Sequence, residues 1–140
     1  MLRYKILACA TLLISFQAFA DEEQCKTNFT KEGSFLSGTT YKTWTVVEGV
    51  EYSDAFKNVY LQVVKDGWKI TNSDKEMGII SAAQDVSYGN GKTAPFNVVV
   101  EKESELNSKI SITYSLSGGV KSPEKAVIDA FCKTITAAKK

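Results

Sequence analysis

Residues 110–116 alternate strictly between apolar and hydroxyl-bearing side chains, and no other feature of the sequence restricts the fold as much. The apolar positions are Ile110, Ile112, Tyr114 and Leu116, and those between them are Ser111, Thr113 and Ser115. Successive side chains of a strand point to opposite faces, so this alternation predicts a sheet with one buried and one wet face. The buried face needs a second layer of structure, which amphipathic helices can provide.

Two helices with a suitable apolar face are predicted. One begins at Ser53 and ends at Gly67, because glycine adopts the left-handed capping conformation without steric cost. The other begins at Ser122, which a proline and a glutamate follow. Both serines are predicted to cap their helices through the side-chain oxygen. The apolar faces consist of Phe56, Val59, Tyr60 and Val63 in the first helix, and of Val127, Ile128, Phe131 and Ile135 in the second, with Cys132 at its border.

Four more strands are predicted, over residues 40–47, 68–71, 78–84 and 96–101. The element order is then strand, helix, four strands, helix. This order predicts a two-layer α+β fold in which a mostly antiparallel sheet of about five strands carries both helices on one face.

We assign this single domain to residues 40–140. Residues 21–39 are polar and contain two glycines, so they are predicted to form an irregular lead-in. Phe29, Phe35 and Leu36 are predicted to tuck against the core.

Residues 1–20 are predicted to be a cleaved signal peptide. Two basic residues near the start precede an apolar run over residues 6–16 and the small residues Ala18 and Ala20, which a signal peptidase recognises. Cleavage is expected immediately before Asp21. The mature protein is therefore predicted to be exported, either periplasmic or secreted, with a bacterial envelope as the suspected location.

Anchoring in the membrane is the less favoured alternative. The apolar run is shorter than the roughly 20 residues that a spanning helix needs. Cys9 lies within the run and Cys25 follows an acidic stretch, so neither stands where a lipid-bearing cysteine is expected. No stable membrane insertion is expected after cleavage.

Cleavage leaves two cysteines, Cys25 and Cys132, one near each end of the mature chain. An even pair in an oxidising compartment predicts a disulfide that ties the N-terminal segment to the last helix. Two free or buried thiols are the alternative.

The composition argues against several classes of function. Cleavage removes two of the 17 basic residues and none of the 16 acidic ones, leaving a net charge of −1, which gives no electrostatic basis for binding nucleic acid. The sequence contains no histidine, which removes serine–histidine and cysteine–histidine catalytic sites and imidazole metal ligands. We therefore predict that the protein is not an enzyme and has no cofactor or metal site.

Three groups of residues remain as candidates for chemistry or binding. The acidic residues Glu101, Glu103 and Glu105 are interpreted as a solvated hairpin, and Asp74 is predicted to bond nearby backbone amides. Residues 89–91 are interpreted as a hairpin turn rather than a phosphate-binding loop. Four aromatic residues either line a ligand pocket or fill the core, and the second interpretation is favoured: Tyr41, Trp44, Trp68 and Tyr114.

The segment over residues 53–83 resembles a known family. An amphipathic helix ends in Gly67-Trp68-Lys69-Ile70, a turn follows at Ser73-Asp74-Lys75, and a strand begins at Gly78-Ile79-Ile80. This run is similar to the small helix-grip domains of bacterial envelope proteins, such as the BamC-type lipoprotein of the outer-membrane assembly machinery. The element order also resembles half of a TATA-binding-protein-like fold. The resemblance implies a fold and no functional residues.

We expect a small exported domain that acts by binding, with an envelope protein as its partner. The first alternative is a carrier of a small apolar ligand held between the sheet and the helices, since helix-grip architectures permit it. The second is an enzyme that works without histidine.

Overall fold

The computed structural model describes residues 14–87 and 90–140, which form three α-helices and six strands. The helices are α1 (Ile14–Thr27), α2 (Tyr52–Lys65) and α3 (Glu124–Thr136), and a 3-10 turn, Ala137–Lys139, follows α3. The strands are β1 (Thr30–Ser34), β2 (Gly38–Glu48), β3 (Lys69–Asp74), β4 (Ile79–Asp85), β5 (Thr93–Ser104) and β6 (Asn107–Leu116).

The six strands form one antiparallel sheet in the order β1-β2-β6-β5-β4-β3. The register brings Thr43, Ile112, Val98 and Ile80 into one row across the four central strands, and all four are buried. The apolar faces of α2 and α3 are buried in the same core, so the helices cover this face of the sheet. The predicted two-layer α+β architecture is confirmed.

The predicted counts of about five strands and two helices are wrong. Residues 21–39 contain the second half of α1 and all of β1 instead of an irregular lead-in. Every residue of β1 is exposed, so its strand conformation depends on backbone pairing with β2. Because no face of β1 is buried, its sequence shows no alternation of apolar and polar residues. Helix α1 likewise carries no apolar stripe of helical period. Both elements are held by contacts with the rest of the fold.

Of the three residues in this segment that are predicted to pack against the core, only Phe29 does so. The ring of Phe29 packs between those of Tyr41 and Phe131, with centroid distances of 5.8 and 5.9 Å, as predicted. Phe35 and Leu36 lie in the β1–β2 turn and are exposed, so the prediction that they pack against the core is wrong.

The ends of the helices were predicted only in part. Gly67 ends α2 as expected: its φ is +87°, and the N–H groups of Gly67 and Trp68 donate to carbonyls of the last helical turn. The predicted serine caps are wrong, because the cap positions are Glu51 and Pro123 and neither makes a side-chain cap hydrogen bond. Ser53 already lies inside the first turn of α2.

Cys25 and Cys132 form a disulfide, as predicted, with their Cα atoms 5.7 Å apart and a separation of 107 positions in sequence. The bond joins α1 to α3. Two polar contacts fasten α1 to β2 as well. The hydroxyl of Thr43 donates to the Cys25 carbonyl at 2.6 Å, and the Gln24 side-chain oxygen accepts from the Val46 N–H at 2.8 Å. Helix α1 is thus an integral part of the helical layer.

Candidate functional site

A cleft opens between α3 and the end of the sheet at which β3 begins and β4 ends. We call it the α3 cleft. It has a volume of about 150 Å³ and an apolar lining of Trp68, Phe96, Tyr114, Ala126, Ala130 and Phe131. The rings of Trp68 and Phe96 stack with centroids 4.4 Å apart, and Tyr114 meets the Trp68 ring edge-on at 5.5 Å. The floor of the cleft is therefore a rigid aromatic surface.

The cleft exists because α3 presents small side chains to it. Ala126 and Ala130 are four residues apart, so they lie on the same side of the helix, beside the buried Val127 and Phe131. Methyl groups at these two positions leave the space above Trp68 and Tyr114 unfilled.

One ion pair lies beside the α3 cleft, where it lines a neighbouring cavity. Lys133 of α3 lies 2.8 Å from the carboxylate of Asp66, directly after α2, and Gln62 donates to the same oxygen at 2.9 Å. The pair holds α2 and α3 at a defined separation next to a second cavity of about 390 Å³ that Trp68 and Ala130 also line.

A polar rim cavity of about 510 Å³ adjoins the α3 cleft, and the two share three lining residues: Gln84, Tyr114 and Ser122. Lys92 and Lys121 line the rim, and the Lys121 ammonium lies 4.7 Å above the ring of Phe35. Asp85 lines the rim as well, but its carboxylate is 2.6 Å from the ammonium of Lys69. The rim cavity therefore carries a positive balance of charge.

Tyr114 is the polar residue at the bottom of this arrangement. Only 8% of it is exposed, and its hydroxyl makes no hydrogen bond to the described residues. The hydroxyl is not among the fully enclosed polar atoms, so it reaches open space, and the side chain lines both the cleft and the rim cavity. Burial, and to a lesser degree the neighbouring Tyr41, raises the pKa of Tyr114, so at neutral pH the group is a hydrogen-bond donor.

The four aromatic residues singled out in the sequence do not share one site. Trp68 and Tyr114 line the α3 cleft, whereas Tyr41 is buried against Phe29 and Tyr114. Trp44 lies on the opposite face of the sheet, 41% exposed, beneath the ammonium of Lys109 at 5.0 Å. The favoured interpretation of these residues as core aromatics is therefore wrong for Trp44.

The residues at the predicted signal cleavage site lie in or next to the helical layer. Residues 1–13 of the predicted signal peptide are outside the described residues, and α1 continues without a break through Ala18, Ala20 and Asp21. Ala20 is exposed and Asp21 is buried. The Asp21 carboxylate lies 2.7 Å from the Lys139 ammonium, and neither atom of this buried pair has another polar partner within the described chain.

The acidic candidates take structural positions. Asp74 accepts hydrogen bonds from the backbone N–H groups of Glu76 and Met77, each at 3.0 Å, as predicted. Glu101, Glu103 and Glu105 are all exposed, and Glu105 pairs with Lys102 at 2.9 Å. Within residues 14–87 and 90–140, no cluster of acidic and cysteine side chains is placed to hold a metal ion.

β4 and β5 pair as an antiparallel hairpin, and Asn90 and Gly91, two of the three residues of the predicted turn, lie in a turn between them. The N–H of Val86 donates to the carbonyl of Lys92 at its base. Tyr88 and Gly89 lie outside the described residues. None of the helices in the described ranges combines the length and the apolar character needed to cross a membrane.

Sequence reasoning missed Gln84, Ala126 and Ala130. A signal for Gln84 was present, because Ile80, Ala82 and Gln84 follow the period of two and place a polar side chain on the helix-facing side of β4. That polar residue marks where the helical cover ends. The two alanines gave no signal of their own, because small residues at helical spacing are as common where a helix packs closely on a sheet as where a cleft opens.

The fold and the cleft define a two-layer α+β protein with an aromatic-floored opening between its layers. No protein-family model matches the sequence, and no curated protein matches it either. The structure is similar to that of a conserved protein of unknown function from Enterococcus faecalis, with a TM-score of 0.52 and 9% sequence identity over 86% of this chain and 81% of that one. At this identity the likeness shows the fold alone.

Proposed function

We propose that the protein is an exported, non-catalytic binding domain that carries a small ligand, the apolar part of which lies in the α3 cleft. The observation that carries the proposal is Tyr114, a residue more than nine-tenths buried whose hydroxyl donor lines the cleft without a partner among the described residues. Because the hydroxyl reaches open space, water can pair with it while the cleft is empty. An acceptor on a bound ligand would take the place of that water.

The dimensions of the site agree with a small ligand. An apolar cavity of about 150 Å³ accommodates a group such as one six-membered ring, and the rim cavity of about 510 Å³ lies within the range of small-molecule sites. Stacking on the Trp68 and Tyr114 rings would favour a flat or branched apolar group. Export is supported by the Cys25–Cys132 disulfide, because such bonds persist in oxidising compartments.

Mass spectrometry of the protein purified from its own host tests the proposal. Denaturation should release a small molecule in stoichiometric amount. An Ala130→Leu variant fills the cleft and should lose that molecule while keeping its stability, because the new side chain enters existing space. Ala83→Leu is the matched control, since Ala83 is half-buried on the opposite face of the sheet. Equal retention of the molecule by both variants would refute the assignment to the cleft.

Interaction with an envelope protein through the open face of the sheet is the second candidate function. It is favoured by the exposed Trp44, which the register aligns with Ser111, Val99 and Ile79 in one row across that face. A photo-crosslinker placed at Trp44 in intact cells should capture one defined protein. A crosslinker at Leu61, exposed on α2, is the control.

A further inference from the structure

We infer that the ligand of the α3 cleft is a small carboxylate whose apolar part enters the cleft and whose anionic end lies at the boundary with the rim cavity. This inference rests on the proposed binding function and names the chemistry of its ligand.

The boundary between the two cavities consists of hydrogen-bond donors. Gln84, Tyr114 and Ser122 line both cavities, and each carries an N–H or O–H group. None of the three side chains makes a hydrogen bond to a described residue. A carboxylate is the small group that best matches such a set, because its two oxygens only accept hydrogen bonds and together accept several.

The charges around the boundary favour an anion. Lys92 and Lys121 line the rim cavity, and neither is paired with a carboxylate in the described part of the chain. The one carboxylate in the same lining, Asp85, is neutralised by Lys69. On the other side of the boundary lies the apolar lining of the α3 cleft, which includes Trp68 and Ala130. This lining excludes a second charge on the ligand. A ligand that satisfies both sides is therefore charged at one end and apolar at the other.

The test compares two probes of nearly equal shape, phenylacetate and phenylacetamide, by NMR titration of the mature protein at about pH 7. We expect phenylacetate to shift the backbone amides of residues 114, 122 and 124–130 and to bind at least about tenfold more tightly than the neutral amide. Tyr114→Phe should weaken phenylacetate binding about threefold to tenfold. Tyr60→Phe on α2 is the matched control and should bind as the wild type does.

Lys121→Gln should reduce the preference for phenylacetate about twofold to fivefold, whereas Lys57→Gln on the exposed side of α2 should leave it unchanged. Equal or tighter binding of the amide would overturn the carboxylate inference and leave the binding function standing. If neither probe nor toluene shifts the cleft amides, the proposed binding function fails as well. Shifts confined to other surfaces would also overturn the inference, because they show only adventitious binding.

Discussion

At the scale of single residues, the stability of this protein depends on aromatic side chains that join the two layers. Phe131 is 1% exposed and contacts the rings of Phe29 and Phe96, each at 5.9 Å. It joins α3 to the sheet and to Phe29 in the short link between α1 and β1. Leu36, by contrast, is an apolar residue that is 85% exposed, so it does not join the two layers.

Replacing Phe131 with alanine should therefore lower the free energy of unfolding by about 3–5 kcal/mol, since the change removes apolar contacts and leaves a cavity. Urea denaturation with the disulfide intact measures this change. Leu36→Ala is the control, with an expected change within about 0.5 kcal/mol. A loss below about 1 kcal/mol for Phe131→Ala would show that the buried face of α3 is misassigned.

Tyr114 makes the free energy of unfolding depend on pH in the alkaline range. Burial, with a smaller effect of Tyr41, raises the pKa of its phenol in the folded state. As the pH rises above about 10, the ordinary value for tyrosine, the unfolded chain loses this proton first, so the free energy of unfolding falls until the folded-state pKa is passed. Below about pH 10 the phenol is protonated in both the folded and the unfolded state, so it adds no pH dependence to the free energy of unfolding.

Tyr114→Phe should consequently flatten the fall in stability above about pH 10. Part of the fall should remain, because burial and Asp74 also raise the pKa of Tyr52. Urea denaturation at several alkaline pH values provides the measurement, and an unchanged slope in the variant would contradict the prediction.

At the scale of elements, α1 is the part of the fold that depends most on the disulfide. It has no apolar stripe, and its covalent and polar attachments are the Cys25–Cys132 bond, the Asp21–Lys139 ion pair and two hydrogen bonds to β2. The bond closes a loop of 107 positions. In the chain-entropy model such a loop contributes up to about 4–5 kcal/mol.

Replacing both cysteines with alanine should therefore cost up to about 4–5 kcal/mol. Hydrogen exchange should accelerate in α1 well before it does in β5 and β6. Native-like protection of α1 in this variant, together with a loss below about 1 kcal/mol, would show that the hydrogen bonds to β2 and the Asp21–Lys139 ion pair suffice to hold the helix.

At the scale of the whole molecule, the predicted cleavage site lies directly before a residue that joins the two ends of the domain. Ala20 is exposed, whereas Asp21 is buried against Lys139 at the other end of the chain. Removal of residues 1–20 would leave this ion pair and the disulfide in place. Because α1 runs through the bond between residues 20 and 21, a peptidase would have to act before the helix docks, when the segment is still extended.

The intact mass of the exported protein should accordingly correspond to a chain that begins at Asp21 and lacks two hydrogens relative to the fully reduced form. Mass spectrometry before and after reduction measures both features. A chain that begins at Met1 would contradict the predicted processing, and two thiols that titrate freely would contradict the disulfide.

Local chemistry was sufficient to specify most of the sheet and two of the three helices. The alternation of Ile110, Ile112 and Tyr114 and the apolar spacing of α2 and α3 reflect burial directly, so they can be seen in the chain. Gly67 ends α2 for a reason that is likewise local, its left-handed backbone. The pairing of the two cysteines followed from their number after the predicted cleavage and from the predicted oxidising compartment.

Three-dimensional packing was needed to specify the elements that are stabilised by residues distant in the sequence. β1 and α1 have no periodicity because pairing with β2 and a covalent bond to α3 hold them. Trp44 and Trp68 are alike in sequence, yet they lie on opposite faces of the sheet. The α3 cleft arises only where two alanines on a helix meet an aromatic floor built from two strands and the residue that precedes a third, and no single segment of the chain contains that juxtaposition.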